Sequence, residues 1–109
     1  MADLIAQHCV PCEGGTPPLS PDVVRKYLPQ ISGWVVEGGN KSIHREYKFS
    51  DFKTAMAFVN EVADLAEIEG HHPDIDIRYN RVTLTLSTHA IGGLSENDFI
   101  LAAKIDSIR

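Results

Sequence analysis

The chain has little cysteine, no basic runs and no long apolar stretches, and each shortage removes a class of function. Its two cysteines lie together in His8-Cys9-Val10-Pro11-Cys12. A zinc site built on Cys-x-x-Cys wants a second pair, and there is none. A redox pair wants a helix directly after it, and Gly14-Gly15-Thr16-Pro17-Pro18 does not start one cleanly. His8 stands beside the pair as an added ligand, but the composition favours a solvent-exposed N-terminal arm over residues 1–19. No run of Lys or Arg occurs, and the formal net charge is −5. The basic footprint that direct nucleic-acid binding needs is therefore missing. No apolar stretch approaches the roughly 20 residues of a membrane span. The start, Met1-Ala2-Asp3-Leu4-Ile5-Ala6-Gln7-His8, has neither the basic opening nor the apolar segment of a secretory signal. Together these absences point to a cytoplasmic protein that binds neither membrane nor nucleic acid.

What is present is enough for one domain. The 109 residues are 43% apolar, a length and composition suited to one modest core, placed here at residues 20–109. A deep pocket in so small a unit calls for a second subunit. Ser20-Pro21 reads as a helix start, with Val23, Val24, Tyr27 and Leu28 as its apolar face and Pro29 as its end. Trp34 to Glu37 reads as a strand, Gly38-Gly39-Asn40 as a hairpin turn, and Ser42 to Phe49 as the return strand. Ile43, Tyr47 and Phe49 face the core.

Ser50 is the expected cap of a helix from Asp51 to Glu69, with Phe52, Ala55, Met56, Val59, Val62, Ala63 and Ala66 as its stripe. Phe58 and Leu65 widen that stripe, and Gly70 ends the helix. Asp74 to Tyr79 then alternates Ile75, Ile77 and Tyr79 with polar residues. After a tight turn at Asn80-Arg81, Val82, Leu84 and Leu86 alternate with Thr83, Thr85 and Ser87. Ser95 caps a last helix from Glu96 to Ile108, with Leu94 and Phe99 as a hydrophobic staple and Asp98 in the first turn. The fold class that follows is two-layer α+β, a four-stranded antiparallel sheet with three helices on one face in the order α-β-β-α-β-β-α.

Chemistry concentrates between Glu67 and Asp98. Three of the five histidines, His71, His72 and His89, stand there at element ends, where a rigid scaffold aims side chains outward. The strand that begins after Pro73 and the strand that ends before His89 form one hairpin. Its open ends meet, so His71 and His72 become neighbours of His89 across 17 to 18 residues of sequence. Several imidazoles in one cleft allow one to take a proton while another gives one. Glu67 or Asp98 can orient an imidazole and fix its tautomer. No serine or cysteine pairs with a histidine to suggest a covalent nucleophile. Residue types alone leave two other readings open. Three histidines and a carboxylate make a reasonable zinc or iron ligand set, although adjacent histidines in extended chain point to opposite sides. A purely structural reading has His-Pro stopping a helix and Asp98 completing a cap with Ser95.

The string Glu67-x-x-x-His71-His72-Pro73, five residues, Tyr79, nine residues, His89, eight residues, Asp98 resembles the signature of the pterin-4a-carbinolamine dehydratases. These are also known as dimerization cofactors of a homeodomain transcription factor. Leu84-Thr85-Leu86-Ser87-Thr88-His89 and Gly93-Leu94-Ser95 look like the same family, and the Cys9-x-x-Cys12 arm resembles its bacterial members. The resemblance implies the α+β fold above and the conversion of 4a-hydroxytetrahydropterin into quinonoid dihydropterin and water, without metal or cofactor. This would recycle the pterin of aromatic amino acid hydroxylases. It further implies His71, His72 and His89 as catalytic histidines, with Glu67, Pro73 and Asp98 supporting them or the pterin. Proton transfer would fall to His71 and His89, and pterin orientation to His72. It implies a homodimer or homotetramer. Asn97 and Gly70 depart from the basic and polar residues of some members. Two other functions compete: a non-catalytic module that stabilises a partner's oligomer, and a pterin role in molybdopterin metabolism.

Overall fold

Leu4, residues 17–31 and residues 33–108 are described by the computed structural model. His8, Cys9 and Cys12, and with them the metal and redox readings of that segment, lie outside the described residues. Leu4 is 2% exposed and belongs to the core, so the solvent exposure expected of residues 1–19 does not hold at this residue.

The order of elements is as expected. Helix α1 spans Pro21–Tyr27, with Ser20 Oγ accepting the Val23 N–H, and passes into a 3-10 turn at Leu28–Gln30. Strands β1 (Val35–Glu37) and β2 (Ser42–Lys48) form the first hairpin. Helix α2 (Phe52–Glu69) leads to β3 (Asp74–Arg78) and β4 (Arg81–Leu86), and helix α3 (Glu96–Ser107) closes the chain. The sheet is antiparallel throughout, in the order β1-β2-β4-β3. Its inner face carries Ile43, Tyr47, Val82, Leu84 and Leu86, all at most 2% exposed. Val24, Phe58, Val62 and the α3 residues Phe99, Leu101 and Ile105 complete that core. Among the described residues no helix is long and apolar enough to cross a membrane.

Four expectations need correction. The cap of α2 is Asp51 rather than Ser50: Asp51 Oδ1 accepts the Thr54 N–H at 2.8 Å, which holds its carboxyl below the ordinary carboxylate value. The buried stripe of α2 runs through Ala55, Phe58, Val59, Val62, Ala66 and Glu69. Phe52 and Ala63 are exposed and Met56 is only half-buried; the larger Phe58 ring wins the core position and rotates the stripe toward itself. The hairpin turn of β3 and β4 is Tyr79-Asn80, not Asn80-Arg81, because Arg78 pairs with Arg81. Tyr79 takes a left-handed φ of 53°, held by Asn80, whose Nδ2 donates to the Phe49 carbonyl while the Phe49 N–H donates to the Asn80 carbonyl. Finally, Ile75, Ile77 and Tyr79 do not lie buried. They are 38%, 36% and 67% exposed, since β3 is an edge strand that the helices do not cover.

Helix α3 positions everything that follows. From Asn97 to Ile105 every residue is buried, as expected of a helix enclosed on all sides. Each end is held by a carboxylate. At the far end Asp106 accepts from Trp34 Nε1 at 3.1 Å, Arg45 Nη1 at 2.9 Å and Tyr47 Oη at 2.6 Å. The near end is held by Asp98.

Candidate active site

The β3–β4 ladder ends at the pair Asp74↔Thr85. Beyond it lie His71-His72-Pro73 on one side and Leu86-Ser87-Thr88 on the other, and Asp98 bonds one residue of each segment, His71 and Thr88. The approach from α2 is a sharp turn. Gly70 has φ 66°, and both its N–H and that of His71 donate to the Ala66 carbonyl. A Cβ at Gly70 would meet nothing within 4 Å, so the left-handed backbone, rather than space, calls for glycine here.

His71 and His72 then diverge, as neighbours in extended chain must. His71 turns inward, its side chain 13% exposed, and its Nε2 lies 2.6 Å from Oδ1 of Asp98, which is fully buried. His72 turns outward, its Nε2 2.5 Å from Oε2 of Glu67 on the last turns of α2; both side chains are exposed. The second oxygen of Asp98 is fully engaged. Oδ2 accepts the Ser95 N–H at 2.9 Å, completing a capping box at the start of α3, and the Thr88 hydroxyl at 2.9 Å. Thr88 Oγ1 also lies 2.7 Å from Ser95 Oγ. Since the Thr88 hydroxyl gives its proton to Asp98, Ser95 is the donor in that pair.

These bonds decide the proton positions. An ionised carboxylate only accepts, so His71 must donate to Asp98 through Nε2–H. Its Nδ1 then carries the free lone pair in the neutral ring and is the nitrogen able to take a proton. His72 is set the same way by Glu67.

His89 begins a 3-10 turn, His89–Ile91, and is exposed. Its loop is closed by the Thr88–Gly93 bridge, the Thr88 N–H donating to the Gly93 carbonyl at 2.8 Å. Gly93 admits no side chain, because a Cβ would stand 2.9 Å from Pro18. Thr88 therefore ties His89, its chain neighbour, to the same Asp98 that holds His71. Pro73 is half-buried where β3 begins. Tyr27 stacks on Phe99 at 5.2 Å beside this end of α3, its phenol pushed up first by burial and then by Glu96.

Of the residues singled out in the sequence, the structure joins His71 to Asp98 and His72 to Glu67, and it roots His89 one residue from the Asp98 network. Asp98 caps α3 through Oδ2 and bonds the His71 ring through Oδ1. Sequence reasoning missed the hydroxyl of Thr88, which ties the end of β4 to Ser95 and Asp98 at the start of α3; its only signal is a hydroxyl residue directly before a histidine, and Ser87 beside it offers the same type. It also missed Glu69 and Lys104. Among the described residues no group of three His, Cys, Asp or Glu side chains is arranged to hold a metal ion.

Comparison with known proteins bears on what this arrangement is. Residues 17–108 match the family model described as pterin 4 alpha carbinolamine dehydratase. A protein of Nitrosospira multiformis, provisionally named a pterin-4-alpha-carbinolamine dehydratase, is 49% identical over 97% of this chain and 92% of its own length. One of Alkaliphilus metalliredigens with the same provisional name is 46% identical over 97% and 96%. The crystal structure of a transcriptional coactivator/pterin dehydratase from Brucella melitensis superposes with a TM-score of 0.79 at 37% identity, covering 84% of this chain and 97% of that one. A match that runs from Pro17 to Ile108, taking in both hairpins, all three helices and the whole Asp98 network, shows that the chain belongs to the pterin-4a-carbinolamine dehydratase family.

Proposed function

We propose that the chain dehydrates a 4a-hydroxytetrahydropterin to the quinonoid dihydropterin and water by histidine acid–base catalysis. The observation that carries this reading is His71, a nearly buried imidazole whose Nε2–H is committed to the buried Asp98 carboxylate. That commitment leaves Nδ1 as the base. In the reaction, the N5–H proton of the pterin passes to His71 Nδ1, and the electron pair of that N–H bond forms the N5=C4a bond. The C4a–O bond breaks, and its electron pair leaves with the hydroxyl, which takes a proton from His89 and departs as water. His89 is exposed and so exchanges its proton with solvent between turnovers. His72, held by Glu67, orients the pterin, and Pro73 shapes the entry. The step needs an acid and a base and no further group. The recycling of pterin for an aromatic amino acid hydroxylase, in the cytoplasm, is the setting this reading favours.

The test is direct. Carbinolamine generated by hydroxylase turnover is mixed with the purified chain, and the decay of its absorbance is compared with the spontaneous rate. Acceleration proportional to enzyme is expected; decay at the spontaneous rate at all enzyme concentrations rejects the reading.

The edge strand β3 supports a homodimer as the working unit, the unit from which a homotetramer would be built. Among the described residues its outer edge pairs with no strand, and that edge with half-exposed Ile75 and Ile77 presents a pairing surface. Antiparallel self-pairing centred on Ile77 would set Asp76 opposite Arg78 of a second copy on both sides of the axis. Ile77→Lys is expected to shift the sedimenting species from dimer to monomer. A dimer that persists in this variant would place the interface elsewhere.

A further inference from the structure

We propose that the buried ion pair between Glu69 and Lys104 is a positioning device for His71, an inference that rests on the reading of His71 as the base. Lys104 Nζ lies 2.8 Å from Glu69 Oε2, with the two side chains 10% and 2% exposed. Such a pair is costly to place here. Two charges leave water, and well-packed apolar residues in their stead are often as stabilising or more so. Glu69 is also the last residue of α2, where the helix dipole disfavours a carboxylate. Lys104, surrounded by the apolar buried residues of α3, is the local compensation.

What the pair supplies is geometry. Only Gly70 separates Glu69 from His71, and glycine is the most permissive backbone there is. A catalytic imidazole that leaves a helix through a glycine needs a fixed root on the helix side. The Lys104 contact supplies that root by holding the last turn of α2 against α3. The same rigid helix carries Asp98, about 9 Å away along its axis at 1.5 Å per residue. His71 is thus held at two points by one rod, at its ring by Asp98 and at its chain origin by Lys104. Loss of the second point leaves the ring bond and the two bonds to the Ala66 carbonyl in place but frees the last turn of α2, and His71 with it, to shift against α3.

The experiment uses the full chain and the double variant Glu69→Leu/Lys104→Met, which removes both charges and keeps the bulk. Two quantities are read: dehydration kinetics, and the downfield proton resonance of the His71 Nε2–H···Asp98 bond. With the thermal midpoint retained, kcat is expected to fall about tenfold with KM within about twofold, the size of effect that loosened positioning produces. The resonance is expected to broaden or shift. Lys104→Arg, which keeps the pair, is expected to retain most of kcat. A folded double variant with wild-type kcat and an unchanged resonance would overturn the proposal and leave the pair as packing alone. Should the double variant not fold, the near-isosteric Glu69→Gln is read in the same two ways, with the same result overturning the proposal. If the wild-type chain shows no dehydration, the functional reading fails, and the resonance alone then decides the positioning role.

Discussion

Replacing His71 with glutamine is expected to lower kcat for carbinolamine dehydration at least a hundredfold, of the order that loss of a positioned general base produces. Glutamine is the informative substitution. Its amide can donate to Asp98 Oδ1 as His71 Nε2 does, so the buried carboxylate keeps a partner and the fold is retained, while no basic nitrogen remains. Alanine at the same position removes the base as well, but strands a fully buried carboxylate oxygen, and its loss of activity would be mixed with a loss of stability of about 1–3 kcal/mol. His89→Ala is expected to be comparably slow without the stability loss, because His89 is exposed. The two variants separate by rescue: imidazole in the buffer should restore part of the His89→Ala rate, where solvent reaches the site, and little of that of His71→Gln, where the ring is nearly enclosed. Wild-type kcat in both variants, measured on protein with an unchanged thermal midpoint, would remove the histidines from the chemistry.

Why these residues were legible in the sequence, and others were not, follows from the range of the interactions. The alternation of Val82, Leu84 and Leu86 and the glycine at position 70 are local patterns, and with one hairpin turn they are enough to lead His71 and Thr88 to one carboxylate, Asp98. The Ser95 cap with Asp98 three residues on is local too. The Asp106 network is not. Its partners Trp34, Arg45 and Tyr47 are 59 to 72 residues away in sequence, and nothing in the run Ala103-Lys104-Ile105-Asp106 distinguishes a half-buried, bonded aspartate from a solvated one. The Glu69–Lys104 pair is hidden for the same reason, across 35 residues. Both residues read as ordinary surface charges on amphipathic helices. The incomplete burial of Ile75 and Ile77 is a matter of strand order: alternation shows which face a strand presents to the core, but not that β3 lies at the edge. The turn at Tyr79 was misplaced by one residue because Asn is the better left-handed residue by intrinsic preference. Here the register of β3 on β4 and the two bonds between Asn80 and Phe49, one donated by each residue, override that preference.

Asp98→Asn is expected to separate the two tasks of this residue. Ser95 N–H and the Thr88 hydroxyl both donate to Oδ2, so the amide oxygen of an asparagine must occupy that side and its NH2 must face His71. An NH2 group only donates, and His71 Nε2 can then only accept. The ring is forced into the tautomer with its proton on Nδ1, and the nitrogen that should take the pterin proton is already occupied. The negative charge that faces the ring is lost in the same exchange. The expected outcome is a fall in kcat of about ten-thousandfold, the order found when a buried carboxylate that sets a histidine tautomer is made neutral. Stability should fall by no more than about 1–2 kcal/mol, since every hydrogen bond is replaced and only its charge assistance is lost. Asp98→Ala, by contrast, leaves the Ser95 N–H, the Thr88 hydroxyl and His71 unpaired in a buried site and should cost about 3–5 kcal/mol. Nitrogen chemical shifts of His71 report the tautomer directly: Nε2–H in the wild-type chain, Nδ1–H in the asparagine variant. An asparagine variant that shows the switched tautomer yet keeps its rate would mean that Nδ1 of His71 is not where the pterin proton goes. A slow variant with the tautomer unchanged would assign the loss to the missing charge alone.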